Sequence, residues 1–194
     1  YQLPAESLWL MSIGRMEALK RFDLLLQVLN KVIKSNCAVH CLMVGDGPER
    51  QKLETLADEI DISNFVTFTG EVPNASNWLA GMDIFAFTST DEGMPNVIME
   101  AAMAGLPIVT WRLPFYEELL EHGKSALLVE PENTTAMKDA ILELINSPEL
   151  RISLGQAARS RMLEAFSLHA YVEKMTTAYE TVLAGRLKGR NTNK

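Results

Sequence analysis

Apolar residues fall along this chain in two alternating textures: short unbroken runs, and longer stretches where they recur every three or four positions. The first texture suits strands of a parallel sheet covered on both faces, and the second suits amphipathic helices. Ser7 to Gly14, SLWLMSIG, is a run of the first kind closed by glycine. From Arg21 to Ser35 the residues Phe22, Leu25, Leu26, Leu29, Val32 and Ile33 return at helical spacing. Cys37 to Val44 is the next run, and Gly45-Asp46-Gly47-Pro48 punctuates its end. Glu49 to Ile60 then places Leu53, Leu56, Ala57 and Ile60 on one helical face. Phe65 to Thr69 reads as a third strand, Ser76 to Gly81 as a short helix, and Ile84 to Phe87 as a fourth strand.

An apolar segment of helical length follows and stops at Gly105. Pro107 to Trp111 is a strand, Tyr116 to Glu121 a short helix, and Ser125 to Val129 another strand. After Pro131 the strand texture disappears. Thr134 or Thr135 can cap a helix ending near Asn146, Pro148 can start the next, and Ser167 can cap the last, from His169 to Leu187. Repeated strand-helix units with short connections predict right-handed crossovers, and so an α/β, doubly wound, mostly parallel, Rossmann-like sheet with extra C-terminal helices. No internal repeat, low-complexity segment or linker divides the chain. It reads as a single domain, with 1–147 as the α/β core, 148–188 as C-terminal helices and 189–194 as a tail. The basic, polar ending GRLKGRNTNK reads as frayed.

Phe85 to Gly105, FAFTSTDEGMPNVIMEAAMAG, passes from strand through a polar loop into helix, and carries Glu92 and Glu100 with seven residues between them. Ligands of open α/β sheets bind beyond the carboxyl ends of the strands, where Glu92 and Gly93 would lie. Pro95 suits the first turn of the helix, leaving the amides of Asn96, Val97 and Ile98 to face the crevice as donors that attract anions. Glu100 is the only charge between Met94 and Gly105. Either it sits in apolar surroundings and meets the hydroxyls of a sugar, or it points along a wet edge of the helix; the spacing does not choose. Gly14-Arg15 and Lys20 lie at the end of the first strand. There Arg15 as a fork and Lys20 as a point charge could grip a diphosphate, the simpler reading being a solvated basic helix start. VGDGP at Val44 to Pro48 and Thr69-Gly70 are weaker signals, since each is a common kind of turn.

Composition removes several classes. With 47% apolar residues in 194, the chain supports a packed core and not a disordered segment. A formal charge of −7 and a pI near 5.0 leave no basic stripe for a nucleic-acid partner. Cys37 and Cys41 stand too far apart along an extended strand for a disulfide, and read as buried, reduced thiols of the kind found in cytosol. His40, His122 and His169 are scattered, so no metal cluster is expected. No apolar run reaches the roughly 20 residues of a membrane helix, and no signal peptide is read ahead of the first strand. The chain begins at Tyr1 and not at Met, as an excised piece or a processed product would.

The separate signals occur together and in order. IGRMEALKRFDLLLQV, LMVGDGPERQKLETLA, VTFTGEV and MDIFAFTSTDEGMPNVIMEAAMAGLPIVT resemble, element by element, the C-terminal, donor-binding domain of GT-B-fold retaining glycosyltransferases. The type is group 1, family 4, the large family that includes sucrose-phosphate synthases and phosphatidylinositol mannosyltransferases, and the resemblance runs from Leu8 to Ser167. It implies that Arg15 and Lys20 hold the donor's diphosphate, that Glu92 contacts the donor sugar near the reacting centre, and that Glu100 binds the ribose hydroxyls. Glu92, Arg15 and Lys20 are thus the implied catalytic set, and Gly14, Gly93, Met94, Pro95, Asn96, Val97 and Glu100 the implied donor-binding set. The implied reaction moves a hexose-type unit from a nucleotide diphosphate sugar to a glycan, lipid or other acceptor with retention at the anomeric carbon. No metal or other cofactor is expected, because protein cations stabilise the leaving diphosphate.

Some positions depart from the family pattern. In TWRLPFYEE, Pro114 and Phe115 fall where a Gly-Gly turn is common, so close backbone approach to the donor is not expected there. Arg21 replaces the glycine that commonly follows the lysine, and Ala126 replaces a later one. The resemblance implies that an N-terminal acceptor domain lies outside this sequence, so the chain alone is expected to bind a nucleotide sugar weakly and to transfer nothing. The last helix of the family often crosses onto that domain, which would leave Val172, Met175, Tyr179 and Val182 partly unpartnered. Two other readings stay open: a non-catalytic nucleotide-sugar-binding subunit completed by a separate chain, and a nucleotide-sugar epimerase, which would act without an acceptor. The full-length enzyme is expected in the cytoplasm, with peripheral contact at the cytoplasmic face of the membrane left open.

Overall fold

A computed structural model describes residues 7–35 and 37–191, with side chains described through residue 183. Six strands, β1 (Leu8–Ile13), β2 (Val39–Val44), β3 (Val66–Gly70), β4 (Ile84–Phe87), β5 (Ile108–Trp111) and β6 (Leu127–Val129), form one all-parallel sheet in the order β3-β2-β1-β4-β5-β6. The unbroken apolar runs end here because the sheet is covered on both faces: every residue of β2, β4 and β5 is buried. Helices α1 (Phe22–Ile33) and α2 (Arg50–Glu59) connect β1 to β2 to β3, while α3 (Asn96–Met103) and α4 (Pro114–Leu119) connect β4 to β5 to β6. Right-handed crossovers that run outward from β1 and from β4 in opposite directions put α1 and α3 on opposite faces. They also open a crevice beyond the carboxyl ends of β1 and β4.

The chain then turns back. Helix α5 (Thr134–Asn146) packs against α1, and α6 (Pro148–Ala165) against α3. A Cβ on Gly155 would lie 1.9 Å from the carbonyl oxygen of Gly105, so α6 reaches the end of α3 only because it carries glycine there. The final helix, α7 (Leu168–Asn191), starts with the Ser167 hydroxyl accepting the Ala170 amide at 3.2 Å. Its Tyr171, Val172, Tyr179 and Val182 are exposed and Met175 is only half-buried, so this helix has little apolar cover among the described residues. No helix is long and apolar enough to cross a membrane among the described residues.

Several expectations are corrected. Asn133, and not Thr134 or Thr135, caps α5, its side-chain oxygen accepting the Ala136 amide at 3.0 Å. The predicted helix at Ser76–Gly81 is a 3₁₀ segment, Ala75–Gly81. Helix α4 starts earlier than Tyr116, because Pro114 suits a first helical position whose amide would be unpaired anyway. Helix α7 continues over residues read as tail; 192–194, like 1–6, lie outside the described residues. Both cysteines are free, but only Cys41 is buried, Cys37 standing half-exposed just ahead of β2. Burial pushes the Cys41 thiol well above its ordinary pKa and keeps it protonated.

Candidate functional site

An open pocket of about 330 Å³ lies at the β1/β4 switch. It brings Gly14, Arg15 and Lys20, from the loop after β1, together with Glu92, Met94, Pro95, Asn96 and Val97, from the loop after β4. Gly93 falls between two of these residues. Glu100 is not part of the lining; it is exposed one helical turn beyond Asn96, on the wet edge of α3, while Ile98, Ala101 and Ala102 face the core.

The loop after β1 is held from the side of β2. The Gly14 amide donates to the Val44 carbonyl at 2.9 Å, the Met16 amide to Asp46 at 2.8 Å, and the Glu49 amide to Met16 at 2.9 Å. Gly45, at φ +130°, has no alternative, since a Cβ there would sit 2.0 Å from the Gly14 carbonyl oxygen. The first glycine of VGDGP therefore serves contact between two loops of the protein. Arg15 also reaches a neighbouring open pocket of about 490 Å³ bordered by Gly45, Asp46, Gly47 and Glu71.

Lys20 ends a 3₁₀ segment, Ala18–Lys20, and the next residue, Arg21, adopts φ 50°, ψ 40°. That left-handed conformation costs a non-glycine residue roughly 1–2 kcal/mol, which is a physical reason for glycine at this position. Here Arg21 is anchored by Asp23 at 3.1 Å and Glu132 at 2.5 Å. The Lys20 ammonium meets Glu92 at 2.5 Å, their side chains being 20% and 11% exposed, and lies 5.8 Å from the centre of the Phe87 ring. Arg15 differs: its side chain is 70% exposed and its carboxylate partner is Glu17 at 3.1 Å.

The start of α3 is tighter than the sequence suggests. Pro95, at φ −79°, ψ 77°, is the cap and not a helical residue. The Asn96 amide donates to Met94 and the Ile98 amide to Pro95, each at 2.9 Å. Of the three amides expected to be free, only that of Val97 has no backbone acceptor among the described residues.

Sequence reasoning missed the residues that hold the two loops together. Thr88, Ser89 and Thr90 hydrogen-bond to the carbonyls of Leu19 and Lys20, and Trp111 and Tyr116 hydrogen-bond to the carbonyls of Thr88 and Ser89. Three consecutive hydroxyls at a strand end were the available signal, because such side chains favour local backbone contacts. No group of three or more His, Cys, Asp or Glu side chains placed to hold a metal occurs among the described residues.

Fold and pocket together define an open parallel α/β domain whose switch-point crevice sets cations against a glutamate beside a helix start. Residues 8–147 match the family described as glycosyl transferases group 1, and this chain belongs to that family. It is 31% identical over 170 residues to an uncharacterised glycosyltransferase of Haemophilus influenzae, covering 87% of this chain and 48% of the relative. It is 29% identical over 181 residues to the N-acetyl-alpha-D-glucosaminyl L-malate synthase of Bacillus anthracis, covering 93% and 47%. The crystal structure of a mutant S. aureus TarM in complex with Fondaparinux, alpha-GlcNAc-glycerol and UDP matches at TM-score 0.83 and 26% identity, over 91% of this chain and 37% of that one. The structural neighbours are GT-B glycosyltransferases. The chain spans about half the length of the curated relatives it matches.

Proposed function

We propose that this chain is the donor-binding half of a retaining glycosyltransferase, moving a sugar from a nucleotide diphosphate sugar to a glycan, lipid or other acceptor held by a partner domain. The observation that carries this is the convergence of Arg15, Lys20 and Glu92 with the start of α3 in one pocket at the sheet's switch point. The UDP in the TarM complex and the transferase names of the relatives support a nucleotide sugar as donor.

The chemistry follows from where charge moves. As the bond from the anomeric carbon to the diphosphate oxygen breaks, negative charge builds on the leaving diphosphate, and Arg15 and Lys20 stabilise it most at that stage. Arg15 offers an exposed fork for two phosphate oxygens. Lys20 stands ready in the pocket, balanced by Glu92; when the donor enters, its diphosphate takes up part of the Lys20 hydrogen bonding while Glu92 meets the sugar. The Val97 amide and the positive end of α3 add to the phosphate site. Gly14, Gly93, Met94, Pro95 and Asn96 line the donor through close backbone approach, and Glu100, hydrated on α3, keeps both oxygens for ribose hydroxyls. Protein cations thus take the place of a metal ion, so a chelator should leave donor binding unchanged. The chain acts as one domain, transfers nothing by itself, and works in the cytoplasm.

A thermal-shift screen of nucleotide diphosphate sugars tests this reading, run on the wild-type chain, Arg15→Ala and Glu100→Gln. The best ligand should raise the wild-type midpoint and raise each variant's less. Equal stabilisation of all three proteins would remove the proposed site.

A further inference from the structure

We infer that Trp111 and Tyr116 are positioning residues that fix the spacing between Lys20 and Glu92 by clamping the two residues, Thr88 and Ser89, on which both loops depend. The inference rests on the donor-site reading above.

Thr88 and Ser89 are gripped from two sides. Toward the loop after β1, the Thr88 hydroxyl donates to the Lys20 carbonyl at 2.9 Å, and the following Thr90 amide donates to the Leu19 carbonyl at 3.0 Å. On their carbonyl side, the Trp111 indole N–H donates to Thr88 at 2.7 Å and the Tyr116 hydroxyl to Ser89 at 3.1 Å. Thr88, Ser89, Trp111 and Tyr116 are all buried, so water cannot replace a lost donor and each bond is needed.

The phenol of Tyr116 touches both arms of the ion pair indirectly. Through Ser89 it holds the loop that leads to Glu92. Through an edge contact with Phe87, ring centres 6.2 Å apart, it steadies the ring that lies beneath the Lys20 ammonium. Phe115 packs on the Tyr116 ring at 4.4 Å, and Pro114 opens α4, so the segment that lacks a Gly-Gly turn instead supplies a stiff helix start that aims this side chain. Burial first, and the charge of Glu92 second, push the Tyr116 phenol far above its ordinary pKa, so it remains a donor to Ser89 at any working pH. Groups that act on developing charge need their spacing held by packed neighbours, which is the role this arrangement fills.

Amide hydrogen exchange on the 194-residue chain tests the inference, with Tyr116→Phe, which keeps the ring and removes only the hydroxyl, and with Trp111→Phe as the second variant. Tyr116→Phe should speed exchange at the Thr90 amide about tenfold while amides of β2 and α1 keep their wild-type rates. UDP, as the probe, should bind about tenfold more weakly. Unchanged exchange at Thr90 in both variants, or a uniform rise across every amide, would overturn the inference by reducing these residues to ordinary core. If the wild-type chain itself ignores UDP and other nucleotide diphosphates, the donor reading fails, while the exchange rates still decide whether the clamp exists.

Discussion

Lys20 and Arg15 reach the same pocket from the same loop, yet Lys20 is largely enclosed and paired with Glu92 at 2.5 Å, whereas Arg15 lies 70% exposed with Glu17 at 3.1 Å. The backbone around Lys20 is tied to the loop after β4 by hydroxyl and amide contacts, and Phe87 lies under its ammonium. Arg15 stands at the start of the loop after β1, held there by backbone contacts to the side of β2, and its exposed side chain pairs with Glu17 of the same loop. One cation is preorganised, its desolvation offset within the folded protein; the other gives up side-chain freedom only when an anion arrives. A diphosphate gripped by such a pair would meet one rigid and one adaptable partner.

The largest expected effect breaks the enclosed pair. Lys20→Met leaves the Glu92 carboxylate, 11% exposed, without its cation, and should lower the unfolding free energy in urea by about 2 kcal/mol. Adding Glu92→Gln should restore most of that loss, since no uncompensated charge remains. The contrast fails if Arg15→Ala is as damaging. That variant should shift stability by no more than about 0.5 kcal/mol and yet weaken UDP binding about tenfold.

The smallest expected effect lies away from the pocket and serves as a control. His40 in β2 is buried, which lowers its pKa below the ordinary 6.5, and its ring nitrogen meets the Thr67 hydroxyl at 2.8 Å. A depressed value in the folded state means that the unfolded chain binds the proton more readily. Stability is therefore complete above pH 6.5 and declines as pH falls through the folded-state value. Urea midpoints measured across that window should fall in wild type and less in His40→Gln, with the Lys20–Glu92 coupling unaffected.

Sequence texture was enough to find all six strands, because parallel strands buried on both faces read as unbroken apolar runs. It also put Gly14, Arg15, Lys20 and Glu92 at one edge, since parallel strands all end on the same side of the sheet, whereas the meeting of their loops follows from β1 lying beside β4. The orientation of Glu100 was not legible: one charge in an apolar octet is compatible with either edge of α3, and packing against α6 settles which residues face inward. Nor were the amides of Asn96 and Ile98, whose donors are consumed by a tight turn at Met94 and Pro95 that follows from backbone geometry and not from residue type. The contacts of Trp111 and Tyr116 with Thr88 and Ser89 exist only once β5 lies beside β4, a pairing invisible to any local pattern.

Amide NMR on the isotope-labelled chain, titrated with UDP, GDP and ADP in turn, tests the donor pocket most directly. With the nucleotide that binds, the amides of Gly14 to Lys20 and of Glu92 to Val97 should shift together along a single saturation curve. Shifts confined to α6 and α7, or none with any of the nucleotides, would contradict a diphosphate site at the β1/β4 switch.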